Sequence, residues 1–401
     1  MLRQPRGWAL KSQDRSADVG AMSLSRRTRP LISTGLAVIA AVGVLATVAP
    51  PASAGQRDPE PYVTGWLPYW NSSASTRTVV RNAPVFQEAS PFVFRADSAS
   101  RIVLTDDLDE WRHMRASLRQ AGVPVVPTVS TGLSAGEFAD IVSNPTRRSA
   151  HVQALAQLAA RWDVAGLDLD YESINFGSEA DQATARKYYP VFVGQLERKL
   201  QKQGRRLTVT VASRTSAGDP NWWVYNYSRL GKAADRIRIM TYDFHWAGGP
   251  PGPIAPKSWV NDVASFASRR INPGKISIGM PAYGRDWFGG TLSGQCPASA
   301  KTTLSRTSAE MEDFAASIGK KPIWRKDATS RYFTYTQKYS AGDRTCRAKR
   351  IVWYDDARSL QAKVGLVQRH RLRGIAIWAL GNEGAGSWSR LTRYGRQLTL
   401  R

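Results

Sequence analysis

Cysteine, histidine and acidic side chains are the scarce components of this chain. Its 401 residues hold two cysteines, Cys296 and Cys346, and four histidines. Neither a His-Glu-x-x-His nor a paired Cys-x-x-Cys spacing occurs, so the sequence offers no metal site, and it implies no cofactor. Acids number 32 against 56 Lys and Arg, for a formal net charge of +24. Long apolar runs are missing too, apart from Leu36–Ala49. No internal repeat, low-complexity tract or second binding module interrupts the rest.

That apolar run defines the N-terminus. Arg26, Arg27 and Arg29 precede it, and Pro50-Pro51-Ala52-Ser53-Ala54 follows with small residues. Basic, apolar and Ala-x-Ala segments in that order read as a secretory signal, residues 1–54, cleaved after Ala54. Met22 is an alternative start, because residues 1–21 add nothing signal-like. A membrane anchor is the competing reading, and the choice between general and twin-arginine export stays open. The expectation is a secreted or wall-associated protein whose residues 55–401 form the catalytic part. Residues 1–54 carry seven Lys/Arg and two Asp/Glu, which leaves +19 for the mature part. Such a charge favours anionic partners. For an exported protein these are anionic cell-wall polymers sooner than nucleic acid. In that compartment an even cysteine pair suggests a Cys296–Cys346 disulfide, with two separate buried thiols as the alternative. A monomer is the default expectation.

The few acids are not scattered. Val164–Glu172 reads Val-Ala-Gly-Leu-Asp-Leu-Asp-Tyr-Glu, with Asp168, Asp170 and Glu172 at alternate positions. Alternate residues of a strand share one face, about 6.6 Å apart. Ala165, Leu167, Leu169 and Tyr171 suit the other face, against helices, and Gly166 fits a narrow spot on the acidic side. Like charges in a column raise at least one carboxyl pKa. A Glu kept protonated near neutral pH can act as a general acid. The bland alternative is a solvated edge strand, and the flanking leucines and the glycine weigh against it.

A second candidate nucleophile lies upstream. Gly132-Leu-Ser-Ala-Gly136 fits the G-x-S-x-G pattern of serine hydrolases, with Ser134 as nucleophile and His245 or His370 as base. The simpler reading is that Ser134 and Glu137 form a helix capping box.

Strand and helix patterns alternate along the whole chain. The predicted strands are Tyr62–Trp70, Ser90–Arg95, Val123–Val129, the acidic run, Arg206–Ala212, Arg238–Asp243, Lys275–Ala282 and Gly374–Leu380. Helical spacing lies between them, for instance over Leu108–Gln120, Asn144–Arg161, Gln182–Gln203, Trp259–Arg270 and Ala357–Arg371. Eight such units imply an α/β fold, a (β/α)8 TIM barrel. The gap between strands 7 and 8 is long enough for a small α+β insertion over 288–352, which contains both cysteines. Active sites of these barrels lie at the C-terminal ends of strands. That rule gathers Trp66, Tyr69 and Trp70, Glu172, Tyr242 and Asp243, Tyr283 and Arg285, and Trp378 on one rim. Flat aromatics with acids suit the apolar faces and hydroxyl edges of sugars.

Four runs in order now resemble glycoside hydrolase family 18, the chitinase and N-acetylglucosaminidase family. The family's fourth-strand pattern D-G-x-D-x-D-x-E reads A-G-L-D-L-D-Y-E over residues 165–172. Ala165 replaces the leading Asp, at a position that faces the helices; the chemistry should survive, and any structural role of that Asp is open. Met240-Thr-Tyr-Asp243, GMPAYGRDW (Gly279–Trp287) and GIAIWALGNE (Gly374–Glu383) are also similar to the family, as is the insertion before strand 8. The opening GWLPYW resembles more narrowly the subgroup of spore-cortex-lytic cell-wall hydrolases. The resemblance runs from about Tyr62 to the C-terminus.

It implies roles. Glu172 would be the general acid and then the base on water. Asp170 would hold the substrate N-acetyl group, with its charge modulated by Asp168, and Tyr242 would bond the acetamido oxygen. Asp243 would be a polar contact and Trp378 the floor under the sugar. The family is an exception to the two-carboxylate rule, because the substrate's own N-acetyl oxygen attacks the anomeric carbon. The expected function is therefore a secreted, retaining hydrolase of β-1,4 bonds next to N-acetylglucosamine, in chitin or peptidoglycan. A catalytically silent glycan-binding protein on the same barrel is the alternative, and an esterase built on Ser134 the third.

Overall fold

The computed structural model describes residues 62–219, 222–341 and 344–399. The signal segment expected over residues 1–54 lies outside the described residues. Fourteen strands are present among them: β1 (Tyr62–Pro68), β2 (Ser90–Ala96), β3 (Ile102–Leu104), β4 (Thr128–Thr131), β5 (Gly166–Asp170), β6 (Arg206–Ala212), β7 (Arg236–Met240), β8 (Ile276–Pro281), β9 (Tyr283–Gly294), β10 (Leu304–Thr307), β11 (Ile323–Arg325), β12 (Ser330–Ala341), β13 (Arg344–Tyr354) and β14 (Gly374–Trp378). The helices are α1 (Ser72–Arg81), α2 (Leu108–Gln120), α3 (Ala135–Ser143), α4 (Pro145–Arg161), α5 (Glu179–Gln201), α6 (Tyr227–Ala233), α7 (Lys257–Ser268), α8 (Ser308–Ser317), α9 (Ala357–Arg369) and α10 (Ser387–Thr399).

Eight strands pair in parallel in the order β1-β14-β8-β7-β6-β5-β4-β2, and β2 returns to β1. The sheet is thus a closed barrel with helices between successive strands, as the alternation predicts. β3 adds an antiparallel edge to β2, a hairpin absent from the sequence reading. Leu167 and Leu169 of β5, and Tyr171 just past it, are buried on the outer face. Tyr171 meets Phe138 of α3 and stacks with Tyr189 and Phe192 of α5. The acids of β5 are thereby left to point into the barrel. Gly166 is required by a close approach: a Cβ there would lie 2.3 Å from the carbonyl oxygen of Arg206, its partner in register on β6.

Three boundaries differ most from expectation. The third barrel strand is Thr128–Thr131, not Val123–Val129. Pro124 and Pro127 have no N–H to give the ladder, so regular pairing begins only after them; Val125 makes a single bridge to Ala89. The sixth strand stops at Met240, and Asp243 takes a left-handed turn (φ 59°) that Asp tolerates better than most residues. The insertion begins at Tyr283, not at residue 288. One residue after β8, the chain enters a five-stranded antiparallel sheet of order β10-β9-β13-β12-β11, flanked by α8. Cys296 and Cys346 are bonded within this unit, joining the turn after β9 to β13.

Candidate active site

The inward residues of β5 meet three different environments along one line. Asp168 is the deepest and is fully buried. Its Oδ2 accepts from Trp66 Nε1, Thr128 Oγ1 and the Arg238 guanidinium, each at 2.9 Å, and its Oδ1 accepts from Thr210 Oγ1 at 2.8 Å. Four strands thus supply one carboxylate with donors.

Asp170 is next and only 7% exposed. Its Oδ1 is buried with no hydrogen-bond partner. Burial first, then the nearby Glu172 and Asp168 charges, push its carboxyl well above the usual range, with Arg238 opposing.

Glu172 lies past the strand end, in helical backbone geometry, at the C-terminal mouth of the barrel. The residue as a whole is exposed there. Burial of its carboxyl by the surrounding protein, then the charge of Asp243, raises its pKa to about 7. A carboxyl that still carries a proton near neutrality is thereby presented to the cleft.

Asp243 is committed elsewhere. Its Oδ1 accepts from Tyr283 Oη at 2.5 Å and from Arg285 Nη2 at 2.6 Å. Both donors belong to β9, so the inserted sheet, not the barrel strand before it, braces this part of the rim. Tyr242 is half-buried. It occupies the space above Gly279 of β8, where a Cβ would come 2.7 Å from the Tyr242 ring. Burial and the four surrounding acids push its hydroxyl far up, so it stays a proton donor.

The aromatic residues divide. Trp378, at the end of β14, is half-buried and meets Phe92, Trp66 and Trp70 edge-on at 5.5, 5.7 and 6.2 Å. Trp70 is 56% exposed and packs against Tyr69. Trp66 is only 1% exposed. Its indole donates to Asp168 and its ring meets Trp378, so it is committed to the column and is too buried to be the sugar contact expected of it. Phe92, Arg238, Thr128 and Thr210 were not foreseen. The signal for Arg238 was an arginine at an inward position of Arg-Ile-Arg-Ile-Met; for Phe92 it was the alternation in Ser-Pro-Phe-Val-Phe.

Ser134 is no nucleophile. Its Oγ donates to Glu137 and caps the N-terminus of α3, with the Glu137 side chain reaching back to the Ser134 N–H. His245 bonds the Pro250 carbonyl and His370 bonds Asn261. Among the described residues, no group of three His, Cys, Asp or Glu side chains is arranged to hold a metal ion.

The inward acid column thus ends in an exposed Glu172, on the same barrel rim as the half-buried Trp378. Residues 62–383 fit the profile of Glycosyl hydrolases family 18. The chain belongs to this family.

Among relatives of this family 18 glycosidase is an uncharacterized glycosylase of Bacillus subtilis, YvbX. It is 29% identical over 256 residues, 63% of this chain and 68% of the relative. The cortical fragment-lytic enzyme of the same organism is 29% identical over 220 residues, 54% of this chain. The chain spans only 48% of that relative's length. Similar solved folds include a chitinase from Chromobacterium violaceum (TM-score 0.70, 24% identity, 84% of this chain and 99% of the other). The spore cortex-lytic enzyme SleL of Bacillus megaterium is another (TM-score 0.68, 22% identity, 88% and 79%).

Proposed function

We propose that this family 18 glycosidase is a retaining hydrolase that cleaves β-1,4 bonds next to N-acetylglucosamine, in chitin or in the glycan strands of peptidoglycan. The 2-acetamido group of the substrate supplies the nucleophile. The observation that carries the reading is the difference between neighbouring carboxyls. Glu172 is protonated near neutrality and open to the cleft. Asp170 keeps an unpartnered oxygen beside it, whereas Asp243 is bound by Tyr283 and Arg285. One acid is available for proton transfer, and the nearby carboxylates are not presented as nucleophiles.

In the reaction, the sugar rests on Trp378. Glu172 gives its proton to the glycosidic oxygen as the bond to the anomeric carbon breaks. The acetamido oxygen bonds that carbon from the opposite face, oriented by the Tyr242 hydroxyl and by Asp170. The leaving chain departs with the Glu172 proton. Glu172, now a carboxylate, then takes a proton from the incoming water as the water oxygen bonds the anomeric carbon. The bond from that carbon to the acetamido oxygen breaks, restoring the acetamido group. Two displacements at one carbon return the original configuration.

The test is product analysis by mass spectrometry with N-acetylglucosamine oligomers and with peptidoglycan fragments, beside Glu172→Gln. Cleavage that disappears in the variant while oligomer binding persists supports the reading. Binding without cleavage of either substrate by the native protein makes it a glycan-binding protein instead. Export is part of the proposal, and a mature N-terminus at Gly55 in culture fluid is its check.

A further inference from the structure

Arg238 is costly to bury, because its charge leaves water for the centre of the barrel. It is 1% exposed. One terminal nitrogen donates to Ser90 Oγ at 2.7 Å and Asp168 Oδ2 at 2.9 Å. The other donates to Thr64 Oγ1 at 3.0 Å and Glu88 Oε1 at 2.7 Å. The guanidinium also lies 5.3 Å from the centre of the Trp66 ring. Glu88, fully buried, is held from below by Arg236, with Arg206 at 3.6 Å. Glu88, Arg238 and Asp168 therefore form an anion–cation–anion chain. It runs from the N-terminal end of the barrel to the foot of the acid column.

We propose that Arg238, with Glu88 behind it, is a positioning residue of the active site: it fixes the Asp168 carboxylate from beneath and sets the charge under Asp170 and Glu172. This rests on the function proposed above. Neither residue touches the sugar in that reading. The consequences are electrostatic and have a sign. Removing the Arg238 cation leaves three carboxyls in the column opposed by neutral donors only, Trp66, Thr128 and Thr210. Proton affinity at Asp170 then rises. Removing the Glu88 anion leaves the Arg238 charge less compensated, and proton affinity at Asp170 falls.

Other charged or titratable groups around the chain are few. Tyr62 comes from β1, Arg206 from the start of β6, and Arg236 from the start of β7; Tyr189 of α5 and Tyr225, just before α6, lie near Asp170 and are held neutral by burial. Tyr242 and Asp243 follow β7, with Arg285 from β9 on Asp243. Arg373, just before β14, lies 4.7 Å over the Tyr62 ring. Ser277 of β8, paired near this level, adds no charge.

The test is kcat and KM against pH on N-acetylglucosamine oligomers for the native protein, Arg238→Met, Arg238→Lys and Glu88→Gln. In this reading Asp170 works as a carboxylate, and its ionisation sets the acidic limb of kcat. Arg238→Met is expected to lower kcat about tenfold with KM nearly unchanged and to move that limb up by about one pH unit. Glu88→Gln moves that limb down, and Arg238→Lys returns it toward the native position. A merely structural role would reduce yield and melting temperature without moving the limb. Should Arg238→Met fail to fold, the Lys and Gln variants carry the test. Movement of the acidic limb in the same direction in Arg238→Met and Glu88→Gln, or no movement in either, overturns the proposal. A carbon-13 NMR titration of the Asp170 carboxyl, assigned with Asp170→Asn, reads the same shifts without turnover. An inactive native protein would therefore defeat the proposed function while this inference is still decided.

Discussion

In the proposed mechanism the chemistry turns on Glu172, whose environment makes two predictions. Its acid form would be the working form. With a pKa of about 7, kcat for hydrolysis should fall as pH rises through neutrality, which a pH–rate profile checks. The same shift affects stability. A carboxyl whose folded pKa is raised contributes stability below its ordinary range and loses it as pH rises through the folded value. Glu172→Gln, always neutral, escapes that loss. Its melting temperature should exceed that of the native protein at pH 8, with the difference vanishing by pH 4. The acid column itself was legible in the sequence as a period of two, though only the flanking leucines and Gly166 weighed it against a solvated edge strand. Arg238 was not, since an arginine in a strand pattern ordinarily signals a solvent face. Trp66 was placed at the right level but in the wrong layer. Sequence shows which way an inward aromatic points, not whether Trp378 covers it.

At the scale of elements, strands and caps hold the column in place. Ser134 is an α3 cap by its bonds to Glu137. Ser134→Ala should cost about 1 kcal/mol in chemical denaturation and leave hydrolysis unchanged; a large loss of activity at native stability would revive the nucleophile reading. Gly166 has no room for a side chain beside the Arg206 carbonyl. Gly166→Ala must therefore push β5 from β6 and displace the acids, seen as joint loss of stability and turnover. The disulfide closes 50 residues of the insertion, worth roughly 4 kcal/mol at most in the chain-entropy view. Its removal should loosen β9, which carries Tyr283 and Arg285, before it affects the barrel; hydrogen exchange would show the order. The strand–helix alternation was readable throughout, whereas the start of β4 and the start of the insertion were not. Prolines delayed the first. The second follows β8 after one residue, so no loop composition marks the boundary.

For the whole molecule, the closed barrel brings residues more than 300 positions apart, Trp66 and Trp378, into contact. It also gathers the acids in a strongly basic chain of net charge +24. Long-range attraction to anionic wall polymers should then be screened by salt. Binding to purified cell walls is expected to weaken with ionic strength more steeply than hydrolysis of a neutral oligomer does, as parallel sedimentation and turnover assays would show. The central claim is narrower: the acetamido group of the sugar attacks while Glu172 gives the proton. Time-resolved proton NMR tests it most directly, following the first anomer released from an N-acetylglucosamine oligomer beside its de-N-acetylated counterpart. The account predicts the β anomer first and no cleavage of the counterpart. Early appearance of the α anomer, or equal cleavage of both substrates, would contradict it.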